Sequence, residues 1–549
     1  MTAFAVWTAL LTRILIAVFT STVFQPDEYF QSLEPAHHLV FGYGHLTWEW
    51  LSPRPIRSIL YPALNVPIYW SLKVTGLDTF GTLGDWLVIE SPRILHGSLA
   101  SLTDIFVCSL AKTVLGERYA PTALLISLTS LFHVLSLSRS LSNSLETSLT
   151  TVALSYYPWT FGGNVAVDRS KVRLTLGLAA FACAIRPTNA IIWVYLIGYL
   201  LWQARSSRTA IIQDGAIISI ITLSGISALD TLYYGKPTFT PWNFLATNLS
   251  NVSLFYGGNV WHYYLSQAIP IMCTTSLPFV LRQSWLILRG RESKALGTML
   301  GCVAWTIGVY SLASHKEWRF IHPLLPILHV FAAKTLYDMS DHQGHINYQL
   351  QRRLLAILLV TVPASCYIMF LYCNAPIRVM AFIRSLPREE LRDGGVGFLM
   401  PCHSTPGHAY LHRPELAGGR LWALGCEPPL QNQDPVTYRD QTTVFFASPY
   451  KYLKERFPES VDPTFPLSPF PVSMPGALQP PFSTSVPERY PWAHTWPQYL
   501  VFFGALLEQE GVQALLEVRG YGQIWSAGRV WEGDSDERKG GVKVWKYSI

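Results

Sequence analysis

Charge is what this chain has least of. Asp, Glu, Lys and Arg make up 14% of its 549 residues, where an average soluble protein carries about 25%, and mean hydropathy is positive at +0.24. That is too little charge to cover a soluble domain of this size, so the apolar excess is expected to face lipid. No basic run interleaved with aromatics occurs, and the net charge of +6 is spread over short loops, which sets nucleic acid aside as a partner. No Cys/His spacing suits a structural zinc site. The opening apolar run, residues 3–24, lacks a small-residue cleavage site and holds Arg13 inside it, so it reads as a retained first span rather than a removed signal. No internal repeat is visible, which weighs against a transporter built from inverted halves.

What the chain does have is apolar runs long enough to cross a bilayer. Beyond residues 3–24 they fall at roughly 94–111, 121–137, 144–157, 172–185, 188–202, 211–229, 269–280, 299–313, 320–336 and 354–372, giving about 11 spans, several short for a core of about 30 Å. The expected fold is a multispanning α-helical membrane protein, residues 1–373, followed by a small α/β domain, residues 374–549. Lys112 and Arg118; Arg169, Lys171 and Arg173; Arg205 and Arg208; Arg282, Arg289, Arg291 and Lys294; and Arg352 and Arg353 fall on one face of this array. By the bias of Lys and Arg that face is the cytoplasm. The opposite side then carries Asp27 and Glu28, Arg93, Arg139 with Asn143 and Glu146, Arg186, Asp230, the stretch 315–319 and the whole tail. Intramembrane charge is costly and faces protein or a wet cavity, so these groups point to one polar cavity. Asp104, inside a span, needs a partner such as Arg93 or Arg139.

In the tail, 387–394 reads as a helix, and 396–401, 421–426, 443–447 and 499–503 read as strands, with a proline-rich loop at 457–492. Cys402 can bridge Cys426 if the tail is in an oxidising lumen, with Cys373 as rival partner. Asn248 and Asn251 each open a glycosylation sequon.

Two stretches carry chemistry. The first, F-Q-P-D-E-Y-F-Q (Phe24 to Gln31), sets Asp27 and Glu28 where the chain leaves its first span, with Pro26 stopping the preceding helix. The pair reads either as a reaction centre or as caps of a helix at 28–38, since carboxylates stabilise helix N-termini. The second, S-H-K-E-W-R-F-I-H-P (Ser314 to Pro323), gathers His315, Lys316, Glu317 and Arg319, and the cations among them suit a phosphate or lipid headgroups.

Together with Y-G-H-L-T-W-E-W, which contains Glu49, I-R-S-I-L-Y-P, which contains Arg57, S-L-S-N-S-L-E-T, I-R-P-T-N, which contains Arg186, T-P-W-N-F-L and M-P-C-H-S-T-P, these stretches resemble glycosyltransferase family 22, membrane enzymes of GT-C fold. The resemblance runs from the first span to about Pro429. It implies an endoplasmic reticulum membrane enzyme with a lumenal site. Such an enzyme takes mannose from dolichyl phosphate mannose, without a cofactor or metal, and the resemblance is to the branch adding the third mannose, in α1,2 linkage, to a GPI precursor. The donor is β-linked and the product α-linked, so a single inverting displacement is implied. Asp27 is then the base, with Glu28 as neighbour or alternate, while His315, Lys316, Arg319, Arg57, Glu49 and Arg186 bind the donor phosphate or the sugars. The competing expectations are a mannosyltransferase acting on dolichol-linked oligosaccharide, a membrane transporter, and a non-catalytic subunit that binds lipid-linked glycan.

Overall fold

The computed structural model describes residues 3–159, 168–248, 250, 252–255, 257–340, 352–429, 434, 437–467, 492–533 and 535–548. Asn251 and most of the expected proline-rich loop lie outside these residues. The chain gathers into two compact units, one of residues 1–20, 92–241 and 256–369, the other of residues 21–91, 242–255 and 370–549.

The first unit is helical, and a helix stands over every expected span. Among the described residues five helical stretches are long and apolar enough to cross a membrane: Gly81–Leu115, Arg205–Tyr234, Tyr264–Leu288, Trp318–Ser340 and Arg352–Arg384. Trp318–Ser340 has 89% of its most apolar stretch buried and Arg205–Tyr234 only 11%, so the former is packed inside protein while the latter leaves an apolar surface for lipid. Local sequence explains where helices begin. Asp168 accepts from the Ser170 and Lys171 amides at the start of Arg169–Ile185, Ser293 accepts from the Leu296 amide before Lys294–Ser311, and Pro187 opens a turn where its missing N–H costs nothing. Ser142–Tyr156 is buried almost throughout. Its Thr147, Ser148 and Thr151 hydroxyls donate to carbonyls one turn back, so a polar helix is satisfied inside the bundle.

The partner of Asp104 is neither Arg93 nor Arg139. Arg13, fully buried, donates Nε to Asp104 Oδ2 at 2.6 Å and Nη2 to Oδ1 at 2.9 Å, and Ser127 Oγ donates to the same carboxylate at 2.6 Å. Arg93 instead donates to the Thr20 carbonyl and Arg139 to that of Leu135. The arginine inside the first apolar run was the mate, because burial there leaves a guanidinium no water to reach.

The second unit contains a five-stranded sheet in the order β2-β1-β3-β5-β4, with β1 Val396–Phe398, β2 Leu421–Ala423, β3 Tyr499–Phe503, β4 Tyr521–Ala527 and β5 Val542–Tyr547. β1 runs parallel to β2 and β3, and β5 antiparallel to β3 and β4. β3 is buried on both faces. Tyr499, Val501 and Phe503 enter one apolar cluster with Val396 and Val544, while Leu500 and Phe502 enter another with Trp422 and Trp545. That two-sided burial is why its sequence is a continuous apolar run. Residues 443–447, expected as a strand, belong to the helix Gln441–Ala447, because the Asp440 carboxylate accepts from the Thr443 amide at 2.9 Å and caps it. Cys402 is bridged to Cys426, so the rival pairing with Cys373 is not the one formed.

Candidate functional site

Pro26 starts the first-loop helix. Its carbonyl accepts from the Tyr29 and Phe30 amides, each at 3.0 Å, and the Gln25 carbonyl accepts from Glu28. Asp27 and Glu28 therefore form the opening turn of a helix that passes through a π-helical stretch, Tyr29–Leu33, into Glu34–Phe41. The acids sit at a helix N-terminus, where the peptide dipoles favour negative charge, and Glu28 makes no side-chain cap hydrogen bond there. They differ in access. Glu28 is buried while Asp27 is half-buried, so Asp27 is the more accessible carboxylate of the two.

Glu49 and Arg57 lie beside this helix as a pair. Arg57 donates Nε and Nη2 to Glu49 Oε1 at 2.9 and 2.7 Å, and Gln31, one turn beyond Asp27, donates to the same oxygen at 3.4 Å. The Arg57 guanidinium also lies 5.7 Å from the Phe244 ring. An ion pair bordered by aromatic surface suits a sugar, whose hydroxyls both give and accept hydrogen bonds.

The same unit holds a group of residues to which the sequence reading gave no role. Glu34 is buried and accepts from the His45 amide at 2.8 Å and the Ala409 amide at 2.6 Å, holding residues 34–45 against 407–409. Burial pushes its carboxyl up to about 7, against the opposing pull of those two amides. His37 and His412 are joined ring to ring at 2.9 Å, and Arg413 grips Asp85 through both terminal nitrogens at 2.8 and 2.9 Å. His403 has a left-handed backbone, φ 56°. Its ring centroid is 4.5 Å from that of Phe30, and its Nδ1 is 3.6 Å from Cys426 Sγ. Burial pushes His45 down to about 3 and His403 and His408 to about 4, leaving all three neutral at physiological pH. Among the described residues, Cys402, His403 and Cys426 are the donor group close enough to share a metal ion, but both sulfurs are spent on the disulfide, which leaves the imidazole alone as a ligand. A signal for this region was present in the M-P-C-H-S-T-P stretch, yet nothing local showed what it packs on.

The remaining expected site residues, His315, Lys316, Arg319 and Arg186, belong to the first unit, and three of them surround one ring, Phe320. The Arg186 and Arg319 guanidiniums lie 5.6 and 5.9 Å from its centroid and the His315 ring 5.7 Å. Arg319 donates Nε and Nη2 to the Glu317 oxygens at 2.5 and 3.0 Å, and His315 Nε2 lies 3.1 Å from the same carboxylate. Burial alone would raise the Glu317 carboxyl, but Arg319 and His315 together hold it well below the usual carboxylate range. The Glu317 hydrogen bond, opposed by burial, raises His315. Arg186 pairs with Glu146 at 3.1 Å. Lys316, buried, donates to the Asn259 carbonyl at 2.8 Å. So Asp27, Glu28, Glu49 and Arg57 stand together in one unit, and His315, Lys316, Arg319 and Arg186 in the other. Glu146, Glu317 and Phe320 organise the second group, although none was expected to bind substrate.

Three comparisons bear on this arrangement. The profile of the Alg9-like mannosyltransferase family matches residues 4–412. The protein called GPI mannosyltransferase 3 from Yarrowia lipolytica is 36% identical over 453 residues, covering 82% of each chain. The mouse protein called GPI alpha-1,2-mannosyltransferase 3 is 35% identical over 448 residues, covering 81% of this chain and 77% of that one. Among solved structures, ArnT from Cupriavidus metallidurans bound to undecaprenyl phosphate aligns over 100% of this chain and 98% of its own, with a TM-score of 0.57 at 11% identity. That likeness establishes the fold as GT-C, a multi-pass membrane architecture. With the profile spanning most of the chain and relatives above 30% identity along four-fifths of it, the chain belongs to the Alg9-like mannosyltransferase family.

Proposed function

We propose that this enzyme transfers mannose from dolichyl phosphate mannose to the second mannose of a GPI precursor, in α1,2 linkage and with inversion, at the lumenal face of the endoplasmic reticulum membrane. The observation that carries the reading is Asp27: a half-buried carboxylate at a helix start just past the first span, beside the Glu49 and Arg57 pair. It serves as the base that takes the proton of the attacking hydroxyl. Because a carboxylate is a weak base for a sugar alcohol, proton removal is concerted with attack, an assistance typically worth about 10² to 10⁴-fold. The leaving phosphate needs positive charge rather than a general acid. His315, Lys316, Arg319 and Arg186 supply it, and no metal is required. The names of the relatives support the acceptor and the linkage; the choice of donor rests on the resemblance of the motifs.

The test is transfer by purified protein in lipid, supplied with dolichyl phosphate mannose and offered a two-mannose GPI precursor or a dolichol-linked oligosaccharide, with and without a metal chelator. The expected result is a third mannose on the GPI precursor alone, α1,2-linked, at a rate the chelator leaves unchanged. Transfer to the oligosaccharide instead would overturn the acceptor. Activity lost to the chelator and restored by a divalent cation would overturn the metal-free step.

A further inference from the structure

The last expected span, 354–372, gives out just before Cys373, and from Phe370 onward the chain belongs to the second unit. Phe370 and Leu371 are exposed, so the end of the span keeps an apolar surface for lipid. The helix Ala375–Arg384 begins two residues later and buries Val379, Met380 and Ile383 in an apolar cluster of the sheet. Its Phe382 ring stacks on Trp525 of β4 at 5.2 Å. The sheet is thus fastened to the chain directly past the membrane exit.

The loop between β4 and β5, residues 528–541, is held at the same point. Glu532 is buried, and its Oε1 accepts from the Cys373 amide at 2.9 Å. Gly528 lies so near that a β-carbon on it would stand 2.9 Å from that of Ala375. Within the loop, the Gly540 amide donates to the Val530 carbonyl at 3.0 Å, and the Ala505 amide donates to the Lys539 carbonyl at 3.0 Å. With Glu532 turned inward, its neighbours face out: Val530 is 77% and Trp531 63% exposed. The Arg529 guanidinium braces the indole from 5.6 Å while its Nη1 lies 3.5 Å from Glu532 Oε1. A buried carboxylate beside two exposed apolar side chains inverts the pattern of a loop that meets only water.

We propose that Val530 and Trp531 form a membrane-docking tip, entering the headgroup region of the leaflet at which the last span ends. The occupant follows from continuity. Phe370 and Leu371 already present apolar surface to lipid, and the bond from Cys373 to Glu532 sets the tip beside them. An indole suits that depth, because its ring is apolar while its N–H seeks a polar partner. The tip gives the C-terminal sheet a second hold on the bilayer, besides its covalent link through residues 373–375. The far end of β4 supplies the contrast. Val518 is 81% exposed, but the seven-residue strand lies between it and the tip. At about 3.3 Å per residue that strand keeps them roughly 20 Å apart.

The test places a photoreactive side chain at one position at a time in the full-length protein, as Trp531→p-benzoylphenylalanine, Val530→p-benzoylphenylalanine and Val518→p-benzoylphenylalanine. Each variant is reconstituted in nanodiscs of phosphatidylcholine and phosphatidylethanolamine, irradiated, digested and analysed by mass spectrometry. The benzophenone joins to whatever C–H bonds it touches. The expected result is a mass shift of one phospholipid on the peptides labelled at 531 and 530 and none above background at 518, with wild-type melting temperatures throughout. Two positions in the tip keep the test decisive should one label disturb the loop. Absence of lipid adducts at both tip positions overturns the proposal, as does an equal yield at 518. A crosslink from the tip to a second copy of the chain, in place of lipid, overturns it too.

Discussion

At Glu34, burial and hydrogen bonding act on one carboxylate in opposite directions, and burial wins. With its carboxyl pushed up to about 7 from 4.5, the folded protein holds this proton more tightly than the unfolded chain. Its contribution to stability is complete below about 4.5 and is lost as the pH rises through about 7, an effect on the order of 3 kcal/mol. The neighbouring His45, His403 and His408 are shifted down. They act with the opposite sign, losing stability as the pH falls from about 6.5 toward their folded values. Glu34→Gln isolates the first term. The difference in melting temperature between wild type and variant is expected to change across pH 4.5 to 7 in favour of the variant as the pH rises. A difference that stays flat would show that Glu34 titrates normally. Residues of this kind are the least legible from sequence. Glu34 sits in a helix as an ordinary glutamate, and only the amides of His45 and Ala409 reveal its role, the second of them 375 positions away. Asp27, by contrast, was marked locally, by Pro26 before it and the apolar run before that.

Among the elements, the helix Gln441–Ala447 shows capping overriding composition. T-V-F-F-A has the β-branched and aromatic residues of a strand, yet Asp440 accepts the Thr443 amide through Oδ1 and the Thr443 hydroxyl through Oδ2, at 2.9 and 2.7 Å. Asp440→Ala is expected to cost about 1 kcal/mol of stability in chemical unfolding, while Asp440→Asn, which keeps the acceptor, costs less. Equal losses in both would mean that the carboxylate's charge matters more than its cap. β4 escaped notice for another reason. It is the sheet edge, with most of its residues exposed, so it lacks the apolar run that made β3 plain. The membrane helices were legible because lipid imposes length and composition on each of them separately.

Across the whole molecule, what the sequence concealed is which distant segments fold together. The second unit draws on residues 21–91, 242–255 and 370–549, and contacts across such separations leave no periodic trace in any one of them. The expected site residues divide between the two units, Asp27, Glu28, Glu49 and Arg57 in one and His315, Lys316, Arg319 and Arg186 in the other. The central claim of the proposed transfer is that Asp27 is the base. The most direct measurement is mannosyl transfer from dolichyl phosphate mannose to a two-mannose GPI precursor by purified wild type and by Asp27→Asn, each shown to be folded by its melting temperature. The account predicts that Asp27→Asn loses about 10² to 10⁴-fold in rate with no change in stability; a variant that transfers mannose within a few-fold of wild type would contradict it.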